Sequence, residues 1–287
     1  MQTIMLATDF SERSDRALRR AVLLAREHGA AVDLVHVVDN DRPRRIVDHE
    51  AADARALLND LAASLESMDG LSCRTQVRLA NPFAGLAKAV DDASPDLLVI
   101  GPHRRQALRD TFIGTTAERT IRTVSCPVLM VNGPPAGPYH HVLLTTDLSD
   151  NAQTSLQHFE TMKIGTDSRV SALYVFDAKA LRLVMSGAMP TDDQKDYLDK
   201  QRAEARRGLA RFMTAVGNRR AEQIVQHEDM PVAAEILNTA GELGTDLIVV
   251  STRGKNIAAR MILGSTSEQV LRSASVDVLA IPPTTGR

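Results

Sequence analysis

Tryptophan is absent from the 287 residues, and aromatic side chains make up only 3% of them. Proteins that hold single-stranded nucleic acid stack bases on aromatic rings, so this scarcity disfavours that class and requires an aliphatic core. Cysteine is nearly as scarce: Cys73 and Cys126 are the two present, too few for a disulfide framework, and both fall in apolar contexts. Buried, reduced thiols and a cytosolic compartment are the expectation. No apolar run reaches the roughly 20 residues that a membrane span needs. Asp9, Glu12, Arg13 and Asp15 interrupt the N-terminal region before a signal-peptide core can develop. An excess of one charge is also missing: 34 basic against 36 acidic residues leave a formal −2, which argues against a reader of phosphate backbones. The expectation is a soluble, cytoplasmic protein without nucleic-acid or membrane partners. A helix N-terminus can still hold the phosphate of a nucleotide without any lysine.

What is present begins with ordinary globular proportions, 44% hydrophobic and 24% charged. The length suits two domains, and internal similarity agrees. Thr8-Asp9-Phe10-Ser11 returns as Thr146-Asp147-Leu148-Ser149, and His36-Val37-Val38-Asp39 returns at the same offset of 138 as Tyr174-Val175-Phe176-Asp177. Asp96-Leu97-Leu98-Val99-Ile100-Gly101 matches Asp246-Leu247-Ile248-Val249-Val250-Ser251 at an offset of 150, as Gly114-Thr115 matches Gly264-Ser265. The second copy therefore carries about twelve extra residues, placed mostly within Ala178–Lys200. The expected division is a first domain over 1–132, a Gly- and Pro-rich linker over 133–138, and a second domain over 139–287.

Strand and helix periodicities alternate within each copy. In the first, Thr3–Thr8, Ala31–Val38, Ser72–Leu79, Leu97–Ile100 and Pro127–Val131 read as strands. Ser14–His28, Ala51–Leu65, Pro82–Asp92 and Thr116–Thr123 read as helices, the first ended by Gly29. Near-continuous apolar strands alternating with helices indicate an α/β fold of two tandem, doubly wound, five-stranded parallel sheets. The fifth strands, Pro127–Val131 and Asp277–Ile281, are apolar, and exposed apolar edges invite pairing.

In open parallel sheets, ligands bind beyond the carboxyl ends of the strands where strand order reverses. The repeated polar residues fall at such ends: Asp9 and Asp147 after the first strands, Gly101 and Ser251 after the fourth. Gly114-Thr115-Thr116 and Gly264-Ser265-Thr266-Ser267 open the last helices. Small hydroxyl residues and exposed N–H groups at a helix start suit a phosphate. Each feature also has a plain structural reading. Thr115…Glu118 and Ser265…Glu268 fit a capping box, and Asp9 and Asp147 fit helix caps. Convergence of three sequence-distant elements on one rim, in both copies, favours a site. His36 reads as rim or core packing, His140-His141 carries no metal-ligand spacing, and Arg42-Pro43-Arg44-Arg45 reads as a solvated loop. Met185 and Met189 in the enlarged segment suit either a variable binding surface or a packed lid. No G-x-x-x-x-G-K-[ST] loop is present, so the P-loop route to hydrolysis is missing and no catalytic residue is nominated.

These residues resemble the universal stress proteins, whose nucleotide-binding members carry G-x2-G-x9-G-[S/T] after the fourth strand and an Asp after the first. The resemblance covers almost the whole chain as two tandem domains. The second copy reads Ser251-Thr252-Arg253-Gly254, then nine residues, then Gly264-Ser265; the first reads Gly101-Pro102-His103-Arg104, then nine, then Gly114-Thr115. The resemblance implies ATP, with or without magnesium, and a non-catalytic sensor or binding module of the stress response. A slow ATPase or phosphotransferase, and a degenerate scaffold without nucleotide, are the alternatives. It places adenine against Ala7, Thr8, Asp9 and Val37, or against Thr145, Thr146, Asp147 and Val175. Phosphates are placed at Gly101, Gly114, Thr115 and Thr116, or at Ser251, Arg253, Gly254, Gly264, Ser265, Thr266 and Ser267. It also implies an intrachain pseudo-dimer through antiparallel fifth strands, and leaves a homodimer and an unknown protein partner open.

Arg104 stands where the family usually keeps glycine: its guanidinium either binds phosphate oxygens or folds over the cleft, and the second outcome, favoured by Pro102 and Arg105 beside it, ranks the second copy as the tighter site. On that ranking, Gly264→Val lowers ATP affinity in calorimetry while thermal melting shows the fold intact; equal affinity moves the ligand elsewhere.

Overall fold

The structure is a computed structural model in which residues 1–102, 116–178, 191–218, 220–252 and 263–283 are described. It divides into two compact units. Unit 1 holds Met1–Pro138 together with Ala274–Pro282, and unit 2 holds Tyr139–Ala258 together with Gly264–Ser273.

Unit 1 alternates strand and helix: β1 (Thr3–Ala7), α1 (Glu12–His28), β2 (Ala31–Val38), α2 (Arg44–Asp69), β3 (Cys73–Leu79), α3 (Pro82–Ala93), β4 (Leu97–Ile100), α4 (Thr116–Thr123) and β5 (Val128–Met130). Its strands lie in the order β3-β2-β1-β4-β5, all parallel, so the order reverses between β1 and β4. Ile4, Leu6, Leu34, Leu97 and Leu98 are completely buried, as expected when helices cover both faces of a parallel sheet. Unit 2 repeats the pattern with β6 (His141–Thr146), α5 (Asp150–Met162), β7 (Arg169–Phe176), α6 (Thr191–Val216), β8 (Glu222–His227), α7 (Val232–Leu243), β9 (Leu247–Ser251) and α8 (Ser265–Ser273). Its strands run β9-β6-β7-β8, again parallel. One carboxylate plays the same part in each unit. Asp96 accepts hydrogen bonds from the backbone N–H groups of Gln2 and Thr3, and Asp246 from those of His140 and His141.

The last strand, β10 (Asp277–Ile281), belongs to unit 1 although the second repeat encodes it. It pairs antiparallel with β5, with Leu279 opposite Leu129, so the two fifth strands meet within one chain as expected. Asp277 anchors the pairing. Its carboxylate accepts from the N–H groups of Asn132 and Gly133 and forms a 3.1 Å ion pair with Arg20 of α1. The two side chains are only 2% and 7% exposed. Arg20 also donates to the Gly137 carbonyl at 2.7 Å. The Gly/Pro-rich stretch that composition marks as a linker is thus held by hydrogen bonds at Gly133 and Gly137.

Three local expectations change. Helix α2 starts at Arg44 and ends at Asp69, well beyond Ala51–Leu65. In its first turn Arg44, Arg45 and Ile46 are exposed and only Val47 is buried, too little for apolar periodicity to reveal it; Arg42 is paired to Glu50 at 2.7 Å. Thr191–Lys200 is the start of α6, while Met185 and Met189 lie outside the described residues. Cys126 is buried as expected, whereas Cys73 is only partly so, because β3 ends the order of strands in unit 1.

Breaking a buried ion pair leaves an uncompensated charge, so Asp277→Ala should destabilise the protein by about 3–5 kcal/mol. Urea denaturation measures this, and a loss below about 1 kcal/mol, the scale of an exposed pair, refutes the anchoring role. Burial pushes the Cys126 thiol up to about 12. At pH 8, alkylation of Cys126 in the native protein should run about three orders of magnitude slower than that of an ordinary exposed thiol. Peptide mass spectrometry should find Cys73 labelled first and Cys126 labelled only after unfolding.

Candidate functional site

The loop that follows β1 is built by Thr8 and Asp9 acting in sequence. Thr8 Oγ1 accepts from the Phe10 N–H at 3.0 Å, and Asp9 Oδ1 accepts from the Ser11 N–H at 3.1 Å. The same turn recurs in unit 2, where Thr146 Oγ1 accepts from Leu148 N–H at 2.9 Å and Asp147 Oδ1 from Ser149 N–H at 3.0 Å. Between these two bonds the middle residue adopts a left-handed backbone, φ 57° at Phe10 and 61° at Leu148. That conformation is uncommon for a bulky side chain and persists where its surroundings over-determine it. Ser11 and Ser149 occupy the helix N-cap positions, so the aspartates do not cap the helices; they set the turn two residues earlier.

In unit 1 this turn borders a cleft of about 560 Å³ beyond the carboxyl ends of β1, β2 and β4. The cleft lies at the strand-order reversal, where α/β sheets bind ligands. Ala7, Thr8, Asp9, Val37 and Gly101, all picked out from the sequence, line it together. Val35, Pro82, Leu86 and Ile100 supply an apolar wall, while Ser11, Arg13, Ser14 and His36 supply a polar side. Burial alone would raise the Asp9 carboxyl, but hydrogen bonds from Ser11 and Ser14 and the Arg13 guanidinium outweigh it and hold it below the usual carboxylate range. His36 stands on the rim with its ring 4.7 Å from that of Phe10. Its Nδ1 lies 2.8 Å from the Thr8 carbonyl, which can only accept, so Nδ1 carries a proton.

Two glycines explain how the backbone closes around this cleft. A Cβ on Gly101 would stand 2.9 Å from the Arg13 carbonyl oxygen, and one on Gly85 would stand 2.6 Å from a Val37 methyl. Gly101 thus lets the end of β4 approach the start of α1, and Gly85 lets α3 sit against Val37. Gly85, Leu86, Pro82 and Ala117 were not singled out from the sequence, because helix-face apolar residues carry no signature that separates a cleft wall from core. Gly114 and Thr115 lie outside the described residues, and Thr116 opens α4.

The corresponding residues of unit 2 also converge on strand ends. Thr145 and Thr146 end β6, Val175 lies on β7, Ser251 ends β9, and Ser265, Thr266 and Ser267 form the first turn of α8. The Glu268 N–H donates to the Gly264 carbonyl at 2.9 Å, and its carboxylate pairs with Arg272 at 2.7 Å. Burial, with the charges of Asp147 and Asp177, pushes the Tyr174 phenol up. His141 is a buried structural histidine, bonded through Nδ1 to the Leu243 carbonyl and through Nε2 to Ser171. Arg253 and Gly254 lie outside the described residues. Among the described residues, no helix is long and apolar enough to cross a membrane, and no group of three or more His, Cys, Asp or Glu side chains is placed to hold a metal.

Comparison with known proteins agrees with the fold and the repeat. The universal stress protein family matches residues 1–132 and again 138–282. A universal stress protein of Mycolicibacterium smegmatis is 25% identical over 98% of this chain and 97% of its own length. A universal stress protein of Methanocaldococcus jannaschii is 24% identical over 50% of this chain and 94% of its own. Among solved structures, a functionally unknown protein of Pseudomonas aeruginosa superposes with a TM-score of 0.72 at 18% identity, covering 99% of this chain and 93% of that one. A universal stress protein of Archaeoglobus fulgidus gives 0.70 at 20% identity over 98% of both chains. Two successive family matches spanning nearly all of the sequence leave one conclusion: the chain belongs to the universal stress protein family.

Proposed function

We propose that the protein is a stress-response module that binds an adenine nucleotide and acts through binding, without turnover. The observation that carries this reading is the unit 1 cleft. Its volume of about 560 Å³ falls within the range of small-molecule sites, and it pairs an apolar wall with a few convergent polar groups. The base lies against Val37 and Leu86, two of the apolar residues of the lining. Asp9, held ionised by Ser11, Ser14 and Arg13, accepts hydrogen bonds from ribose hydroxyls at the end of β1. The phosphates run toward the first turn of α4, where backbone N–H groups without intrahelical partners and the helix dipole favour negative charge. Magnesium, where it accompanies the nucleotide, is carried in on the phosphate oxygens.

Binding without turnover rests on the residues themselves. Phosphoryl transfer needs a group that orients the nucleophile, and among the described residues of the cleft Asp9 is engaged by Ser11, Ser14 and Arg13 and His36 by the Thr8 carbonyl. Ligand occupancy instead biases whichever conformation binds it better, by as much as its affinity differs between the two.

Freshly purified protein, denatured and analysed by chromatography and mass spectrometry, should release ATP. Calorimetric titration of the emptied full-length chain should show saturable ATP binding, and phosphate release should not rise above a protein-free blank. Retained ADP with continuous phosphate release favours a slow ATPase, and no binding by either method favours the scaffold alternative.

A further inference from the structure

The two repeats carry different side chains at three matched positions around the site. Gly101 of unit 1 corresponds to Ser251 of unit 2, and Ala117 corresponds to Ser267, each 150 residues on. Gly85 corresponds to Glu235 at the same spacing, and both helices open alike: Gly85 N–H donates to the Asn81 carbonyl at 2.8 Å and Glu235 N–H to the Pro231 carbonyl at 3.2 Å. Unit 1 therefore has glycine, glycine and alanine where unit 2 has glutamate, serine and serine. Gly101 and Ala117 line the open cleft, and Gly85 sits behind its Val37 wall.

In unit 2 the larger side chains are bonded to their own surroundings. Ser267 Oγ donates to the Ser251 carbonyl at 2.7 Å, tying the start of α8 to the end of β9. Ser251 Oγ lies 3.0 Å from Ser155 Oγ of α5. The Gly264 N–H, which the motif assigns to a phosphate, donates to the Thr252 carbonyl at 3.0 Å. Glu235 is 4% exposed and accepts from the Met230 N–H at 2.9 Å, placing a buried carboxylate where unit 1 has no side chain. Leu148 also differs from its counterpart Phe10: it packs toward Gly208 of α6, whose hypothetical Cβ would lie 3.1 Å from Leu148 Cδ1. A phosphate entering here must displace formed hydrogen bonds, which is unfavourable.

We infer that the chain binds a single adenine nucleotide, in unit 1, and that the matching place in unit 2 is held shut by its own serines and Glu235. This inference rests on the adenine-nucleotide reading and reverses the ranking that motif spacing gave the two copies. Unit 2 then serves the fold, while unit 1 takes the ligand.

Full-length protein titrated with ATP and magnesium in a calorimeter should saturate at one nucleotide per chain. Photolabelling with 8-azido-ATP, followed by peptide mapping, should mark peptides from the first 102 residues and leave those from residues 139–252 unmarked. Ala117→Leu fills the cleft from the helix and should weaken binding by about tenfold or more. Two nucleotides per chain, or label confined to unit 2, overturns the inference and leaves nucleotide binding standing. No binding at all overturns both. Thermal melting of Ala117→Leu separates a filled cleft from an unfolded domain, and the label map decides the site where that variant does not fold.

Discussion

The carboxylate of Asp277 is the point on which the first unit closes. It joins three pieces of chain that are remote in sequence: the N–H groups of Asn132 and Gly133, the guanidinium of Arg20, and the strand that carries Asp277 itself. A charge buried to 2% exposure is tolerable only when opposed and fully hydrogen-bonded. That condition fixes the register of β10 against β5, and with it the end of the strand order in unit 1. It also turns a glycine- and proline-rich connection into fixed structure, since Arg20 holds the Gly137 carbonyl as well. Repeat and compact unit are consequently not the same object in this chain. The second repeat supplies the strand that unit 1 pairs with β5.

A second constraint works at the ligand end of each unit. The Thr-Asp-X-Ser turn forces a left-handed residue between two side-chain acceptors and directs the following helix across the strand ends. This happens twice with the same bonds and nearly the same φ, so the turn itself does not distinguish the two sites. The distinction arises from what surrounds it. Unit 1 keeps a glycine at 101 because the Arg13 backbone leaves no room for a Cβ, and the space beyond stays open. Unit 2 accommodates Ser251 and engages its hydroxyl with Ser155. Hydroxyl groups that read as phosphate ligands when met in a motif serve there as internal fasteners.

Much of the fold was legible because its signals are local and repeated. The strand Ala31–Val38, the strand Leu97–Ile100 and the helix Thr116–Thr123 fall where their periodicity put them. The antiparallel fifth strands followed from the exposure of two apolar edges, together with the family resemblance. Misreadings sit where periodicity has nothing to report. The first turn of α2 buries Val47 alone and reads as loop, and Cys73 reads as core although its strand ends the order in unit 1. Of the site, Asp9, Val37 and Gly101 were legible through repetition, whereas Leu86, Ala117 and Gly85 were not. An apolar or missing side chain on a helix looks the same whether it faces a cleft or a core.

By itself the sequence determined the tandem repeat, the parallel α/β class and the set of strand-end residues at which a ligand would be sought. Those properties depend on residue spacing and on which faces must be buried, and both are written along the chain. Tertiary structure alone decided that Asp277 pairs with Arg20, that β10 is counted with the first unit, and that Gly101 borders a cleft in unit 1 while its counterpart Ser251 bonds to Ser155 in unit 2. The Arg20–Asp277 and Ser155–Ser251 contacts, at 3.1 and 3.0 Å, join groups 257 and 96 residues apart, and no local pattern encodes them.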